Sequence, residues 1–460
     1  MDKRLTRRDV LLLLLCFIIS RVIIKSLNIS FGYTALFEYW RYLDVETLRS
    51  QLLQGLWYQH SQPPVFNLLL GLILKLSEPH APLIFEYLFL VNSFVNACLL
   101  LTIIKKVTGR ARLAFAVSLW YLLSPATMLY ENELFYTSFI SLLLLMLVYF
   151  MLKFRSRSNY GTAAGLFISL TLLCLTRSVY HLSWLIPVCL LVSLSTFNKE
   201  RFKILLAGSL LSICVVGGWY AKNYYLFHTF AASSWLGINF SRIVFHDVVV
   251  KDTSDIASVH PFFPVSYYNR YISQAKVKDY AGWNDKILLT EMKNGSFINM
   301  NHAAYLQVSD RYMESCKDFI IKHPGLYLAN VFKSFIIFFS PASSYFKLAE
   351  NNRKISYYDL VYSFNLSHLA DTKEHQRITL AISAIPKFLV YCFVFFMVAR
   401  KKYFSTINLV IIFTIFFSLA VSSLFEYGEN MRYRYELEPL FLVLAAQVLS
   451  KMRPGKKEVY

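Results

Sequence analysis

Apolar runs separated by short polar turns occupy most of the chain. A helix rises about 1.5 Å per residue, so roughly 20 apolar residues cross a hydrocarbon core of about 30 Å. By this rule about ten runs predict membrane-spanning helices. They are residues 10–27, 82–104, 113–130, 134–152, 161–176, 181–195, 204–220, 378–398, 404–424 and 435–449. The pattern predicts an all-α polytopic membrane protein with additional interfacial helices and outer-face loops.

Two other apolar segments are predicted to be interfacial or re-entrant helices. Segment 65–76 is too short to span, and segment 326–339 is interrupted by Lys333 and followed by Pro341. Leaving both out places the basic turns on the side of the basic N-terminus, and such turns favour the cytoplasm. These turns lie at 105–112, 153–157, 199–203, 400–402 and 451–457. Both termini are therefore predicted to be cytoplasmic.

The composition agrees with a membrane protein and excludes several other classes. Of the 460 residues, 56% are hydrophobic and 16% are charged, so no soluble domain is predicted. The formal net charge of +19 arises mainly in the short basic turns, so no nucleic-acid partner is implied. The seven cysteines are scattered without metal-ligand spacing, which supports neither a zinc site nor a disulfide framework.

The predicted topology divides the chain into three parts. Residues 1–220 form a transmembrane module with a first outer loop at 28–81, and residues 377–460 form the C-terminal transmembrane helices. Between them, residues 221–376 form a long outer-face segment, and loops of this length are usually functional. The turns at 130–133, 177–180 and 426–434 fall on the same face as these long segments. The unusual polar clusters are thus predicted to meet at one membrane face.

The first outer loop carries two candidate general bases, Asp44 and Glu38. Asp44 opens an amphipathic run, with leucines at helical spacing from Leu48 to Leu56, that is predicted to lie on the membrane surface. A carboxylate at a partly desolvated interface is suited to accept a proton. The alternative is that Asp44 only caps the helix, and the two roles are compatible.

A second acidic pair, Glu131 and Glu133, lies in the short turn between two predicted spans. A carboxylate near hydrocarbon costs on the order of 3 kcal/mol, so such a pair needs a partner or a function. We expect one of them to face the site. The alternative is a plain outer turn in which both acids reach water.

Several cations are predicted to converge on the same face. Guanidinium groups suit phosphate because two N–H donors match two oxygens, so the joint placement indicates an anionic lipid headgroup. For each residue alone, an interfacial cation that snorkels to water is the alternative. The polar residues concerned are Arg177 with His181, Lys222 with Asn223 and His228, and Arg432 with Arg434.

These segments, in this order, resemble the GT-C superfamily of integral-membrane glycosyltransferases. Besides the acid of the first loop, the resemblance rests on the blocks HSQPPVFNLLLGL, YENELFYT, LTRSVYHLSWLIP, WYAKNYYLFHTFAASSWLGINF and ENMRYRYELEP. The chain looks most like the branch that contains protein O-mannosyltransferases and the aminoarabinose transferases that modify lipid A. The pattern covers most of residues 1–450, and the order of the blocks is more specific than any single block.

The resemblance implies that a sugar passes from a polyprenyl-phosphate donor to a lipid, glycan or protein acceptor on the outer or lumenal face, with inversion. It implies that Asp44 is the base. Many relatives have an adjacent Asp-Glu pair, whereas Val45 separates Asp44 from Glu46 here, so Glu38 remains an alternative base. The residues implied to bind the donor phosphate or sugar are His60, Gln62, Lys222, Arg432 and Arg434.

Two other functions are compatible with the sequence. A lipid-linked sugar transporter would gather cations around a headgroup, although it predicts polar residues at mid-span. An outer-face polysaccharide polymerase or ligase is the second alternative. A divalent cation is compatible with sugar transfer, but no compact carboxylate cluster stands out to bind one. The expected location is a bacterial inner membrane, or the endoplasmic reticulum membrane in a eukaryote.

Overall fold

The computed structural model describes residues 7–196, 198–246, 285–294, 296–400, 403 and 405–452. The predicted basic positions 401–402 and 453–457 lie outside the described residues. Nearly all regular structure is helical. The one described sheet is a two-stranded antiparallel hairpin, β1 (Met292–Lys293) and β2 (Phe297–Ile298).

The helices of the first half are α1 (Arg7–Ser26), α2 (Ala35–Glu38), α3 (Val45–Ser50), α4 (Leu52–Trp57), α5 (Val65–Ser77), α6 (Ala81–Thr108), α7 (Ala111–Leu123), α8 (Pro125–Tyr130), α9 (Thr137–Ser156), α10 (Tyr160–Thr176), α11 (Leu182–Ser193) and α12 (Lys199–Phe227). Those of the second half are α13 (Leu236–Val244), α14 (Lys286–Leu289), α15 (Ala304–Lys322), α16 (Pro324–Phe339), α17 (Ala349–Lys354), α18 (Ser356–Ser363), α19 (Lys373–Val398), α20 (Thr406–Phe425) and α21 (Asn430–Met452). Short 3-10 helices lie at Glu78–His80, Ala342–Ser344, Phe346–Leu348 and Leu366–Leu369.

The chain is an integral membrane protein by the length and hydropathy of its helices. Five described segments are long and apolar enough to cross a membrane: Val65–Thr108, Thr137–Ser156, Lys199–Phe227, Lys373–Val398 and Thr406–Phe425. Helices α7, α10, α11 and α16 are apolar but shorter. Each predicted span falls on helical structure, and the number of about ten spans remains a prediction.

Two predicted helices are each broken into two. The run 113–130 separates into α7 and α8 at Ser124, whose extended backbone precedes Pro125. The proline ring disfavours helical backbone in the preceding residue, which explains the break. The surface run after Asp44 divides into α3 and α4 at Gln51, so Leu48 and Leu52 are buried while Leu53 is exposed.

Helix α21 occupies the centre of the bundle. It packs against α6, α9, α16 and α20, and α16 in turn packs against α19. Segment 326–339, predicted to be interfacial or re-entrant, therefore lies among the long helices as α16. The central position of α21 buries even the charged residues of its first turns. Those residues define the candidate site.

Candidate functional site

Three arginines from distant parts of the chain share two buried glutamates at the start of α21. Arg432 donates from Nη2 to Glu429 Oε2 at 2.5 Å, and Arg41 donates to the same oxygen at 3.4 Å. Arg242 donates to Glu426 Oε1 at 2.9 Å and to Glu429 Oε1 at 3.4 Å. We call these five residues the arginine cluster. They join the loop between α2 and α3, α13 and the turn before α21 in one ionic network.

The ionisation of the two glutamates in the arginine cluster depends on the neighbouring charges. Burial alone would raise the pKa of Glu429, but Arg432, Arg41 and Arg242 outweigh burial and hold that pKa well below its usual range. Burial, together with the charge of Glu429, raises the pKa of Glu426 despite the opposing charges of Arg242, Arg41 and Arg432. Glu429 is therefore the permanent anion of the arginine cluster.

Aromatic rings surround the arginine cluster. The Arg432 guanidinium carbon lies 4.6 Å from the Phe135 ring centroid, and its Nε and Nη1 atoms have no hydrogen-bond partner among the described residues. Tyr136 accepts a hydrogen bond from Arg41 Nη1 at 3.1 Å. Burial would raise the pKa of Tyr136, but Arg41, Arg432 and Arg177 together lower it. The neighbouring arginines thus favour the deprotonated, negatively charged form of the Tyr136 hydroxyl.

Two further arginines lie beside the arginine cluster. The Arg177 guanidinium stacks 3.7 Å from the Tyr433 ring centroid and forms an ion pair with Glu436. Arg434 pairs with Glu438 and donates to the Ser340 carbonyl oxygen at 3.4 Å. Counting Arg177 and Glu436 with the arginine cluster gives four arginines and three glutamates, an excess of one positive charge.

A cavity of about 530 Å³ adjoins this charge. Glu426 and Tyr433 form part of its wall, with Asn239, His181 and the backbone that follows Arg177. The rest of the wall is largely apolar and includes Tyr220, Phe230, Leu236, Phe417, Val421 and Phe425. A ligand in this cavity would meet a largely apolar surface and, at Glu426, the acidic edge of the arginine cluster, whose arginines lie behind the wall.

Asp44 caps α3 and is half-buried. Its Oδ1 accepts from the Glu46 N–H at 2.9 Å and its Oδ2 accepts from the Asn294 N–H at 2.7 Å. Next to Asn294, burial lowers the pKa of Lys293 to about 7, although Asp44 partly opposes this effect. Asp44 also lines a cavity of about 180 Å³ between α3 and α14. The predicted N-cap is confirmed, and the same residue also borders the open volume of this cavity.

The other first-loop acid, Glu38, is exposed, and it lies near Glu133, which is buried. Burial raises the pKa of Glu133 to about 7, where Glu38 adds to the effect and Lys347 opposes it. A buried carboxylate with a pKa near neutrality is suited to proton transfer. Glu133 and Glu38 thus form an acidic pair close to the ring of Tyr39, over which Lys347 lies.

Glu131, in contrast, is held in a buried ion pair. Arg21 of α1 donates from Nε and Nη2 to its two oxygens, each at 2.7 Å. Arg21 also donates to the Leu122 carbonyl oxygen at 3.0 Å. This two-pronged contact ties α1 to the turn after α8, so the structure gives Glu131 the partner that its burial requires.

His60 and Lys222 fasten the first loop rather than face the arginine cluster. His60 Nε2 lies 3.0 Å from the Asn301 carbonyl oxygen and must donate to it, which leaves Nδ1 to accept from Ser234 Oγ at 2.7 Å. Burial lowers the pKa of His60 to about 3, so the ring is neutral. Lys222 Nζ donates to the carbonyl oxygens of Trp57 and Gln59.

The remaining predicted residues lie near this contact. Gln62 is buried in the segment before α5. Asn223 donates from Nδ2 to the Ala231 carbonyl oxygen at 2.7 Å. His228 ends α12 in a left-handed conformation, with φ at 53°. Within the described ranges, no group of three or more His, Cys, Asp or Glu side chains is placed to hold a metal ion.

Several members of the site carry no signal in the sequence pattern. Arg41, Arg242, Glu426 and Tyr136 are common residue types in aromatic surroundings, and only the fold brings them together. The usable signal was the density of charge in the turn before α21, where Glu426 and Glu429 precede Arg432. Buried charges demand partners, so that turn implied cations elsewhere in the chain.

The chain matches no protein-family model, no curated protein and no solved structure. The geometry and charge of the site itself are therefore what indicates a function.

Proposed function

We propose that the chain is a GT-C-type membrane glycosyltransferase, which moves a sugar from a polyprenyl-phosphate donor to an acceptor hydroxyl at the outer membrane face. The carrying observation is an apolar-lined cavity of about 530 Å³ next to a buried ionic network with one excess positive charge: Glu426 of the cavity wall pairs with Arg242, and Tyr433 of the wall contacts Arg177. A polyprenyl phosphate presents the complementary combination of an anion and an apolar chain. The cavity also has the size of a typical ligand pocket, roughly 300–1,000 Å³.

In this proposal the phosphate binds beside Arg432 and Arg177. Arg432 has two donor atoms without partners among the described residues, and buried donors without partners favour an incoming acceptor. Glu429 keeps the neighbouring guanidinium groups in place through its shared hydrogen bonds. The prenyl chain follows the apolar wall past Phe417 and Phe425.

A carboxylate of the first loop supplies the base. Asp44 lines the cavity of about 180 Å³ and not the donor cavity, but it lies three residues after Arg41, so at most about 11 Å separates their Cα atoms. Its carboxylate removes the proton of the acceptor hydroxyl as that oxygen attacks the anomeric carbon. The bond from that carbon to the phosphate oxygen breaks, and the electron pair leaves with polyprenyl phosphate. Cations beside the leaving phosphate stabilise the charge that develops there.

Donor binding tests the carrying observation. We expect Arg432→Gln to weaken binding of a fluorescent polyprenyl-phosphate sugar at least about tenfold, because one charge-assisted contact contributes about 1.5–3 kcal/mol. Arg353→Gln, which removes an exposed cation of α17, is the matched control. Equal binding by both variants, with unchanged melting temperatures, would remove the arginine cluster from the proposal.

Transport and polymerisation are distinguished by their products. A transporter binds the donor and moves it between leaflets, but it releases no polyprenyl phosphate. A polymerase or ligase whose chemistry depends on other residues tolerates the loss of Asp44. Release of free polyprenyl phosphate that requires Asp44 is therefore specific to the proposed transferase.

A further inference from the structure

A second cavity, of about 340 Å³, lies at the opposite ends of the long helices. Its wall is formed where α9 and α11 end and where α12 and α20 begin. These are the ends that carry the basic turns, which the predicted topology assigns to the cytoplasmic side. Its lining residues are separate from those of the arginine cluster and its adjoining cavity.

Two arginines, Arg155 and Arg201, line this cavity. Among the described residues, neither guanidinium group has an ion pair, a hydrogen bond or an aromatic ring contact. The nearby acid Glu200 already pairs with Lys203 at 2.9 Å and does not line the cavity. Acidic side chains are absent from the described lining. Both arginines are exposed, so the cavity wall carries two solvent-accessible positive charges without a compensating anion among the described residues.

The other lining groups divide into two kinds. Thr196 and Thr406 contribute hydroxyl groups to the same lining, and hydroxyl groups donate hydrogen bonds to anions, whereas the Ser195 hydroxyl already donates to the Val192 carbonyl oxygen at 2.6 Å. Phe154, Val192 and Ile407 contribute apolar surface to the same cavity. A ligand that satisfies both kinds of group has an anionic head and an apolar body.

We infer that this cavity binds a phosphate group on the inner side of the membrane, in the form of an anionic phospholipid headgroup. Basic pockets between transmembrane helices on the cytoplasmic side are suited to such headgroups. Two guanidinium groups offer paired N–H donors to phosphate oxygens, while the apolar wall accommodates the start of an acyl chain. The site shares no lining residue with the proposed donor cavity.

Lipid binding to the full-length purified protein tests this inference. Native mass spectrometry of delipidated protein would measure binding of short-chain phosphatidylglycerol, with phosphatidylcholine as the zwitterionic comparison and inorganic phosphate as a soluble competitor. The test variant is Arg155→Gln/Arg201→Gln. The matched control is Arg157→Gln/Lys199→Gln, which removes the same charge from exposed positions of the same turns outside the cavity lining.

We expect wild type and the control pair to bind phosphatidylglycerol alike, and the test pair to bind at least about tenfold more weakly. Phosphatidylcholine should bind more weakly than phosphatidylglycerol to wild type. Displacement by inorganic phosphate at low millimolar concentration would assign the site to a free anion, while resistance to it would assign the site to the lipid. Equal losses in both variant pairs, or binding of neither phosphatidylglycerol nor phosphate to wild type, would overturn the inference.

Discussion

Several charged side chains of this protein are buried as pairs of opposite charge. Arg21 with Glu131 and Arg432 with Glu429 lie in the interior, where an ion without a partner is costly. Glu133 differs from both glutamates, because it is buried without an ion pair or side-chain hydrogen bond among the described residues. We expect a substitution at a glutamate with an ion-pair partner and one at Glu133 to have different effects on stability.

Glu429→Gln should destabilise the protein by about 3–5 kcal/mol, the usual cost of breaking a buried ion pair. The substitution leaves Arg41 and Arg432 without their shared anion. Thermal or denaturant unfolding in detergent measures the loss. Glu200→Gln is the control, since its exposed pair with Lys203 contributes at most about 1 kcal/mol. Similar losses in the two variants would contradict the ionic network.

Glu133→Gln should change how stability depends on pH. The pKa of Glu133 is about 7 in the folded protein, against 4.5 for an ordinary glutamate, so the folded state holds the proton more tightly. Its contribution to stability is therefore full below about pH 4.5 and is lost as the pH rises to about 7. The loss is at most about 3 kcal/mol.

Melting temperatures between pH 5 and pH 8 measure this effect. The decline should be smaller in Glu133→Gln than in wild type, whereas Glu46→Gln, at an exposed acid, should keep the wild-type decline. An unchanged decline in Glu133→Gln would show that this carboxylate is not held protonated in the folded protein.

At the scale of elements, side chains from distant parts of the chain hold the loop before α5 by hydrogen bonds to its backbone. Asn301 accepts from the N–H groups of His60 and Ser61, at 3.0 and 3.2 Å, and donates to the Tyr58 carbonyl oxygen. Lys222 of α12 holds the neighbouring carbonyl groups. The Pro63-Pro64 segment is thereby kept in one conformation between two distant parts of the chain.

Asn301→Ala should loosen this loop, because it leaves two buried N–H groups without acceptors, at about 1–3 kcal/mol each. Hydrogen exchange at residues 58–62 should accelerate by at least about tenfold. Asn351→Ala, which removes a contact to Ser30 at the surface, should leave that exchange unchanged. Exchange at the wild-type rate in Asn301→Ala would exclude the proposed fastening role.

At the scale of the whole molecule, the apolar runs predicted the helices well because length and hydropathy are local properties. The proximity of Arg177 to the first turns of α21 agrees with the expectation that alternate turns between spans share a face, whereas His60 and Lys222 lie at a separate contact. The pairing of individual charged residues could not be predicted from the sequence. Arg21 and Glu131 are 110 positions apart, and Arg41 and Glu429 are 388 apart. The split of the surface helix at Gln51 likewise depends on burial of Leu48 and Leu52 in the core.

Cysteine labelling tests the predicted orientation. Ser50 and Ser156 are exposed, and the predicted topology assigns them to opposite sides of the membrane. In intact bacterial cells, an impermeant maleimide should label Ser50→Cys above the background of native cysteines, whereas Ser156→Cys should react only after permeabilisation. The positive-inside rule gives this expectation. The reverse labelling pattern would contradict it and move the arginine cluster to the cytoplasmic side.

The most direct test of the proposed function is sugar transfer by the purified protein from a panel of radiolabelled polyprenyl-phosphate sugars. Wild type should consume one donor and release polyprenyl phosphate. Asp44→Asn retains an oxygen that can cap α3, and it should bind that donor but turn it over about 10²- to 10⁴-fold more slowly. Binding without consumption by wild type would contradict the transferase and favour a transporter, and full activity in Asp44→Asn would remove Asp44 as the base.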